Sequence, residues 1–448
     1  MVFTRNTARP KRKGPPHTVI ILFIAYLKMR NPTKKLGKAI SISLLNQIVS
    51  SGTNFILGLF LVRILSPVEF GLYGISFAIS LFFTGIGNAL FLTQMVVRIP
   101  DKLAADLLPY TARIFILTSL YILASALIML LVIVLSSISH YSISHYSDLG
   151  LAITSLAATY LLKDFFIRHA YSLYKEKRAL VVNISLALAL CAIGFFLSTT
   201  ENNITATDSL IAVSAAQAFA AFIGFLLSGL PLKSITRPEL LNDARELFHG
   251  GKWSVLAHII ISVRSQAYTL IVASFMGPAG VARLNAARIF ITPATMLMPA
   301  LGQVFLPRIA NARATDPRQG RRIGLFFSMI MFGAVVIYSV VVLASFQHIS
   351  SLVVGTKYQS LFWLVFWWSI YNCITTLKSG QELIIIANKQ FRIQAIINAI
   401  AAILALGLVT LLFINFAEIG AIIGQTLAEI VVFILMWKIV NKGLPHDT

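Results

Sequence analysis

From residue 39 onward the chain alternates long apolar runs with short polar breaks. Twelve of these runs are long enough to cross about 30 Å of hydrocarbon as a helix, at about 1.5 Å per residue. They lie near residues 39–62, 70–97, 110–135, 149–167, 179–198, 208–229, 253–275, 283–307, 323–346, 360–378, 393–414 and 419–437. In hydrocarbon every backbone polar group must be satisfied within the segment, so each run is predicted to be a helix. No break is large enough for a soluble domain. The longest, Pro231 to Lys252, has the length of one amphipathic linker helix. The expected fold class is an all-α polytopic membrane protein.

Composition agrees: of 448 residues, 57% are hydrophobic and only 12% charged, with a mean hydropathy of +0.83. A net charge of +21 would point to nucleic acid in a soluble chain. Here it follows the membrane rule that Lys and Arg collect in cytoplasmic loops. Of 37 basic residues, only Arg63, Lys357 and Arg283 fall in loops after odd-numbered spans, and only Arg264 and Arg288 lie within spans away from their cytoplasmic ends. Both termini are therefore expected on the cytoplasmic side. Because the charge is spread over separate loops without interleaved aromatics, no nucleic-acid partner is expected. Residues 1–38 carry ten basic residues, no acid and one apolar run, Val19 to Leu27, that is too short to span. This predicts a basic cytoplasmic tail, with Met29 as an alternative start to Met1. Cys191 and Cys373 fall in apolar runs, without the number or spacing of a disulfide framework or zinc site, and are expected to be buried thiols.

The two halves of the chain resemble each other. An offset of 212 carries Asn46 to His258, Ser50 to Ser262, Thr53 to Ser265 and Asn54 to Gln266. An offset of 211 carries Pro67 to Pro278, and offsets of 214 or 215 carry Lys163 to Lys378, Lys175 to Lys389 and Arg178 to Arg392. Each half has an even number of spans, so both begin on the same side and the repeat is parallel, its pseudo-axis along the membrane normal. The predicted division is a basic tail (1–38), a first six-helix lobe (39–230), a linker (231–252), a second six-helix lobe (253–440) and a C-terminal tail (441–448).

The run Ile64-Leu65-Ser66-Pro67-Val68-Glu69-Phe70-Gly71-Leu72-Tyr73-Gly74 resembles the loop between spans 1 and 2 of the oligosaccharide flippases of the polysaccharide-transport family. That family belongs to the superfamily that also holds drug and toxin antiporters and the lipid II flippase. Gly277-Pro278-Ala279-Gly280 echoes the same shape in the second half. The likeness extends over about residues 34 to 440, although only the loop is motif-like. The chain departs by its long basic tail and lacks the extra C-terminal spans of the lipid II branch. The resemblance implies two six-helix lobes around a cleft in a bacterial cytoplasmic (inner) membrane. The implied cargo is a lipid-diphosphate-linked oligosaccharide, with membrane lipids and polysaccharide polymerase machinery as further partners. The motif itself reads as a loop, with Pro and Gly shaping a turn and Glu69 solvated.

Candidate chemistry lies within the spans. If span 7 starts at Trp253, Arg264 lies about 17 Å along it, near the bilayer centre. A charge there costs roughly 2.5 to 3.5 kcal/mol on insertion scales, so it needs a reason. One reason is an anionic cargo, because guanidinium binds phosphate oxygens bidentately; the other is an ion pair with Glu429. Arg288, in span 8, has the same two options, cargo contact or snorkelling to the surface. His258, Ser262 and Gln266 share one face of span 7, matched by Asn46, Ser50 and Asn54 on span 1. These polar stripes either line a cleft or pack helices together. Lys163, Asp164, Lys378 and Glu382 form helix-end ion pairs, Asp164 with Arg168 and Lys378 with Glu382, or a gate that moves as the lobes rock. Glu429 is the candidate coupling site.

No phosphate-binding Gly-rich loop, zinc-protease helix or nucleophile elbow is present in the sequence, so no catalytic residue, cofactor or metal is expected. Any energy input would come from an ion or voltage gradient, with H+ or Na+ as the possible coupling ion. The expected function is a flippase moving undecaprenyl-diphosphate-linked oligosaccharide by alternating access for surface polysaccharide synthesis, lipopolysaccharide or exopolysaccharide. The alternatives are a cation-coupled drug or toxin antiporter, which would favour cleft carboxylates, and a polysaccharide polymerase or ligase, which would favour a large external loop.

Overall fold

The computed structural model describes residues 32–99, 106–138, 144–199, 204–231, 235–296, 316–355, 360–388 and 390–442, with positions 298, 299, 301, 302, 305, 306, 308, 309, 312, 357 and 358 between them. The amino-terminal tail up to residue 31 lies outside them. Six helices make up the first half: α1 (Pro32–Ile64), α2 (Pro67–Arg98), α3 (Leu107–Ile138), α4 (Ser144–Ser172), α5 (Glu176–Thr199) and α6 (Ala206–Ser228). The second half starts with one 59-residue helical stretch, Arg237–Thr295, broken at Gly277, where φ is 67° and ψ is −165°. Its limbs are α7 (237–276) and α8 (278–295). Then come α9 (Pro317–Ala344), a short helix Phe346–Val354, and α10 (Phe362–Ala387). Phe391–Lys442 bends at Ala417 into α11 and α12. Among the described residues, nine helical segments are long and apolar enough to cross a membrane. Two of these are the broken stretches, each with length for two crossings, and α10 completes twelve.

Two boundaries differ from the hydropathy reading. The linker is not separate: helix runs unbroken from Arg237 into α7, because no residue there interrupts the i to i−4 ladder. Helix α8 begins at Pro278 rather than near residue 283, because Gly277 makes the turn and Pro278 takes the first helical position, where a missing N–H costs nothing.

The loop motif has a structural role at each position. Ser66 caps α2 by accepting from Glu69 N at 3.3 Å, and Pro67 follows at the first helical position. The Glu69 carboxylate is not simply solvated: it accepts from Ala206 N at 2.5 Å, holding the start of α6. Phe70 and Tyr73 are buried. Gly71 lies directly against the Pro278 backbone, where a Cβ would overlap the Pro278 carbonyl. The repeat-related turns at Pro67 and Pro278 therefore meet in space.

The cores reveal how the halves are joined. Let the near face be the side where α1 begins. The largest apolar cluster lies at the far ends of the helices and contains residues of both halves, from Leu61, Leu65, Phe70 and Leu210 to Val272, Leu284, Trp368 and Ile422. Toward the near face the apolar core divides. One cluster holds Met95, Ile114, Phe165 and Leu247; another holds Ile384, Ile397, Val432 and Met436. The far side is also tied by polar contacts: Arg63 donates to Leu352 O, and Lys357 Nζ donates to Arg63 O and, at 2.9 Å, to Leu65 O. On the near side the leading turns of α7 dock on the first half, with Arg113 Nε 2.5 Å from Asp243 Oδ2, Arg98 paired with Glu246, and Gln94 bonded to Ser254 at 3.2 Å.

Candidate functional site

Three polar clusters lie within the apolar body. The first is a chain of ion pairs in the second half. Arg264 Nη1 of α7 is 3.1 Å from Glu429 Oε1 of α12, and Lys378 Nζ of α10 is 2.6 Å from Glu429 Oε2 and 3.5 Å from Glu382 Oε1. Gln425 Nε2 donates to the Arg264 carbonyl at 3.0 Å. Two cations face two carboxylates, so the cluster is formally neutral, and Glu429 and Lys378 keep side-chain exposures of only 3% and 4%. A buried carboxylate between two cations removes the cost of isolated charges in hydrocarbon. Of the two readings open for Arg264, the ion pair with Glu429 is the one present. The same cluster joins Lys378 and its i+4 neighbour Glu382 to Glu429, 51 positions from Lys378.

The second cluster surrounds Arg288. It sits about 17 Å along α8 from Gly277 at about 1.5 Å per residue, deeper than the hydropathy boundary implied. Instead of snorkelling, its Nη1 donates to Tyr268 OH at 3.0 Å, and its guanidinium lies 5.6 Å from the Trp368 ring centroid, a cation–π contact. Tyr268 and Tyr371 pack edge-on against Trp368, with centroids 5.2 Å away in each case. Trp368 is fixed in turn by donating to Leu284 O at 3.1 Å. Arg288 retains exposed surface, and among the described residues it has no carboxylate within ion-pair distance. It is a fixed positive charge in an aromatic cradle.

The third cluster is a polar cavity of about 430 Å3 in the near half of the first six helices, between α1, α4 and α5. Asn46, Ser50, Lys163 and Asp164 all line it, together with Gln47 and Asn183. Asn46 is its hinge point, donating to Tyr171 OH at 2.7 Å and accepting from Asn183 Nδ2 at 2.8 Å. Lys163 Nζ lies 3.5 Å from Asp164 Oδ1 and 4.3 Å from the Tyr160 ring centroid. Asp164 Oδ2 also accepts from Asn88 Nδ2 at 3.3 Å, in the π-helical turn Asn88–Leu92 of α2. Arg168, expected to pair with Asp164, instead reaches Thr93 Oγ1 at 3.4 Å.

The remaining residues of the two stripes separate. His258 Nε2 lies 3.3 Å from Phe82 O on α2 and 3.1 Å from Ser262 Oγ, with the ring against Gly85, so His258 and Ser262 belong to the packing of α7 on α2. Gln266 accepts from Thr269 Oγ1 at 3.1 Å, and Asn54 is exposed on α1. Cys191 is also exposed and Cys373 half-buried, neither being a core thiol. The aromatic cradle of Arg288 and the Tyr171 and Asn183 partners were not found from the sequence. Each joins positions on different helices, and single-helix periodicity carries no signal for that.

Among the described residues, helices with length for twelve crossings are joined at the far side by one shared core and divided at the near side. The structure resembles the lipid II flippase MurJ in an inward closed conformation, with TM-score 0.71 and 13% identity over 89% of this chain and 86% of that one. It also resembles a multidrug resistance MATE family transporter of the MOP superfamily in an inward-facing conformation, with TM-score 0.66 and 14% identity over 89% and 96%. A MOP superfamily transporter from Pyrococcus furiosus, described as having a binding pocket of reverse polarity, matches with TM-score 0.60 and 14% identity over 90% and 96%. At these identities the likeness is one of fold. No curated protein matches the chain by sequence. Residues 60–323, more than half of the chain, match the family of polysaccharide biosynthesis proteins. The chain is a multi-pass membrane protein and belongs to that family.

Proposed function

We propose that this protein is a flippase that carries an undecaprenyl-diphosphate-linked oligosaccharide from the cytoplasmic to the periplasmic leaflet of a bacterial inner membrane by alternating access. The near face is then cytoplasmic, as the basic residues in its loops favour. The observation that carries the reading is an imbalance of free charge. Asp164, Glu382 and Glu429 each lie within 3.5 Å of a Lys or Arg, whereas Arg288, among the described residues, contacts a hydroxyl and an aromatic ring and no carboxylate. A cation antiporter needs a carboxylate available to its ion. A carrier of diphosphate needs an available cation with planar donors, which Arg288 supplies. The bond from Arg288 to Tyr268 has an uncharged acceptor and can be exchanged for one to an anionic phosphate oxygen, which adds the attraction of opposite charges. No nucleotide-binding motif accompanies the site, so the energy source is a gradient of H+ or Na+, with the Glu429 cluster as its candidate. Polymerase machinery would take the cargo on the far side.

Deleting the gene should leave lipid-linked oligosaccharide on the cytoplasmic side of the membrane. Unpolymerised units accumulating on the periplasmic side would point to a polymerase or ligase instead. In the complemented strain, Arg288→Ala should lower export at least about tenfold and Arg288→Lys should keep part of it, a lost charged contact corresponding to roughly 1.4 kcal/mol or more. Normal export by a fully inserted Arg288→Ala protein would overturn the role of Arg288.

A further inference from the structure

The seam between α1 and α5 changes character along its length. In its near half, Asn46, Gln47 and Ser50 of α1 and Asn183 of α5 face Lys163 and Asp164 across the polar cavity of about 430 Å3. One turn further along the same two helices the lining becomes apolar: Leu57 and Phe60 of α1 and Leu190, Cys191, Gly194 and Phe195 of α5 bound a groove of about 300 Å3. The two compartments follow each other on successive turns, Asn46 and Thr53 lying about 10 Å apart along α1. Taking roughly 30 Å3 per heavy atom, water's share in the liquid, the groove has room for about ten atoms, or two isoprene units of a single chain. The polar cavity has room for about fourteen by the same measure, the scale of a sugar ring or a diphosphate.

A lone apolar groove facing lipid would say nothing about its occupant; the compartment attached to it does. A molecule filling both needs a polar, hydroxyl-rich or anionic head continuous with one flexible hydrocarbon chain. Its direction is also fixed. The apolar part of α1 runs from Ser41 to Ile64, so the polar cavity, at Ser43 to Ser50, lies in the near half of the span and the groove, at Thr53 to Phe60, runs from its middle toward the far end. That is the polarity of a lipid in the near leaflet and the reverse of one in the far leaflet. Lys163 supplies charge complementarity: its ammonium is buried and held by Asp164 at 3.5 Å and the Tyr160 ring. Asp164 keeps a second partner in Asn88 at 3.3 Å, so Lys163 can turn to a phosphate without leaving its carboxylate bare.

We propose that the α1/α5 seam is the loading site for cargo in the near leaflet, with diphosphate and first sugar beside Lys163 and the first isoprene units over Cys191 and Gly194. This rests on the lipid-linked cargo proposed above, and places its capture in the first half, apart from Arg288 on α8.

The chain provides its own reporter. In full-length protein carrying Cys373→Ser and reconstituted in phospholipid nanodiscs, Cys191 is the sole thiol. Undecaprenyl diphosphate should slow its alkylation by a membrane-permeant maleimide about tenfold, and undecaprenol, lacking phosphate, should do so far less. Lys163→Gln should remove the protection. Gly194→Leu replaces a helix glycine by a better helix former and extends toward Phe60, whose ring lies 3.7 Å from the position of an added Cβ. It should weaken undecaprenyl diphosphate binding about tenfold with the melting temperature unchanged or raised. If undecaprenyl diphosphate binds but changes neither Cys191 reactivity nor its affinity for the Gly194→Leu protein, the seam is not the loading site, while the cargo reading stands. If disc phospholipid alone shields Cys191 to the same extent, the groove is a bulk-lipid contact and the proposal fails. If the unsubstituted protein binds no undecaprenyl diphosphate, the cargo reading falls and the loading site with it.

Discussion

Arg264 and Arg288 illustrate how little residue type alone decides inside a membrane. Both are arginines at depth, and both would be costly without a partner. Arg264 faces Glu429 at 3.1 Å, whereas Arg288 faces Tyr268 and Trp368. The difference is set by α12, which brings a carboxylate to one and not to the other. Glu429 is the keystone of its cluster, because it alone touches both Arg264 and Lys378. Glu429→Ala should therefore destabilise the protein by about 3–5 kcal/mol, the cost of leaving buried charges unpaired. Thermal unfolding in detergent should show the loss. Arg264→Met combined with Glu429→Ala should recover part of it, since Lys378 keeps Glu382 and the cation left unpaired by the single change is gone. Additive losses in the double variant would mean that the two side chains do not act as a pair.

At the scale of the element, each of the two repeat-related turns depends on a glycine, for different reasons. Gly277 has φ 67° and ψ −165°, a region essentially closed to residues with a Cβ. Gly277→Ala should cost about 1–3 kcal/mol although nothing crowds the position, because the strain is in the backbone. Gly71 is the opposite case: its backbone is ordinary α-helix, but a Cβ would meet the Pro278 carbonyl. Gly71→Ala should cost a similar amount, about 1–3 kcal/mol, by overpacking. The two are distinguishable. Shortening Pro278 to Ala leaves the carbonyl in place and should not rescue Gly71→Ala, whereas a change that shifts the α8 start should. Equal tolerance of Ala at both glycines, judged by melting temperature, would contradict this account of the turns.

The whole molecule is held as one body at the far side and as two cores at the near side. Alternating access, as proposed above, requires the far-side seal to open during a cycle. In a protein lacking Cys191 and Cys373, thiols introduced as Arg63→Cys and Leu352→Cys should be bridged by a short reducible crosslinker, and bridging should arrest export. Reduction should restore it. Unimpaired export by quantitatively bridged protein would show that the far-side contact between Arg63 and Leu352 stays closed throughout.

The sequence by itself determined what the solvent imposes. Apolar runs of membrane length dictated twelve helices, basic loops indicated a sidedness, and near-constant offsets exposed the repeat. Turn chemistry was legible too: Pro67 and Gly277 mark helix starts and a break that their backbones require. Sequence also singled out polar residues that the structure places in the three clusters, including Asn46, Lys163, Arg264, Arg288 and Glu429. Only the tertiary structure decided their company. Asn46 lies 137 positions from Asn183, and Arg264 lies 165 from Glu429. Helical periodicity fixes which residues share a face, but not which helix that face meets. The grouping of these charges into a closed ion-pair cluster, an open aromatic cradle and a polar cavity above an apolar groove is a property of helix packing. In a membrane, that packing is governed by close small-residue contacts and interhelical hydrogen bonds rather than by a hydrophobic pattern readable along the chain.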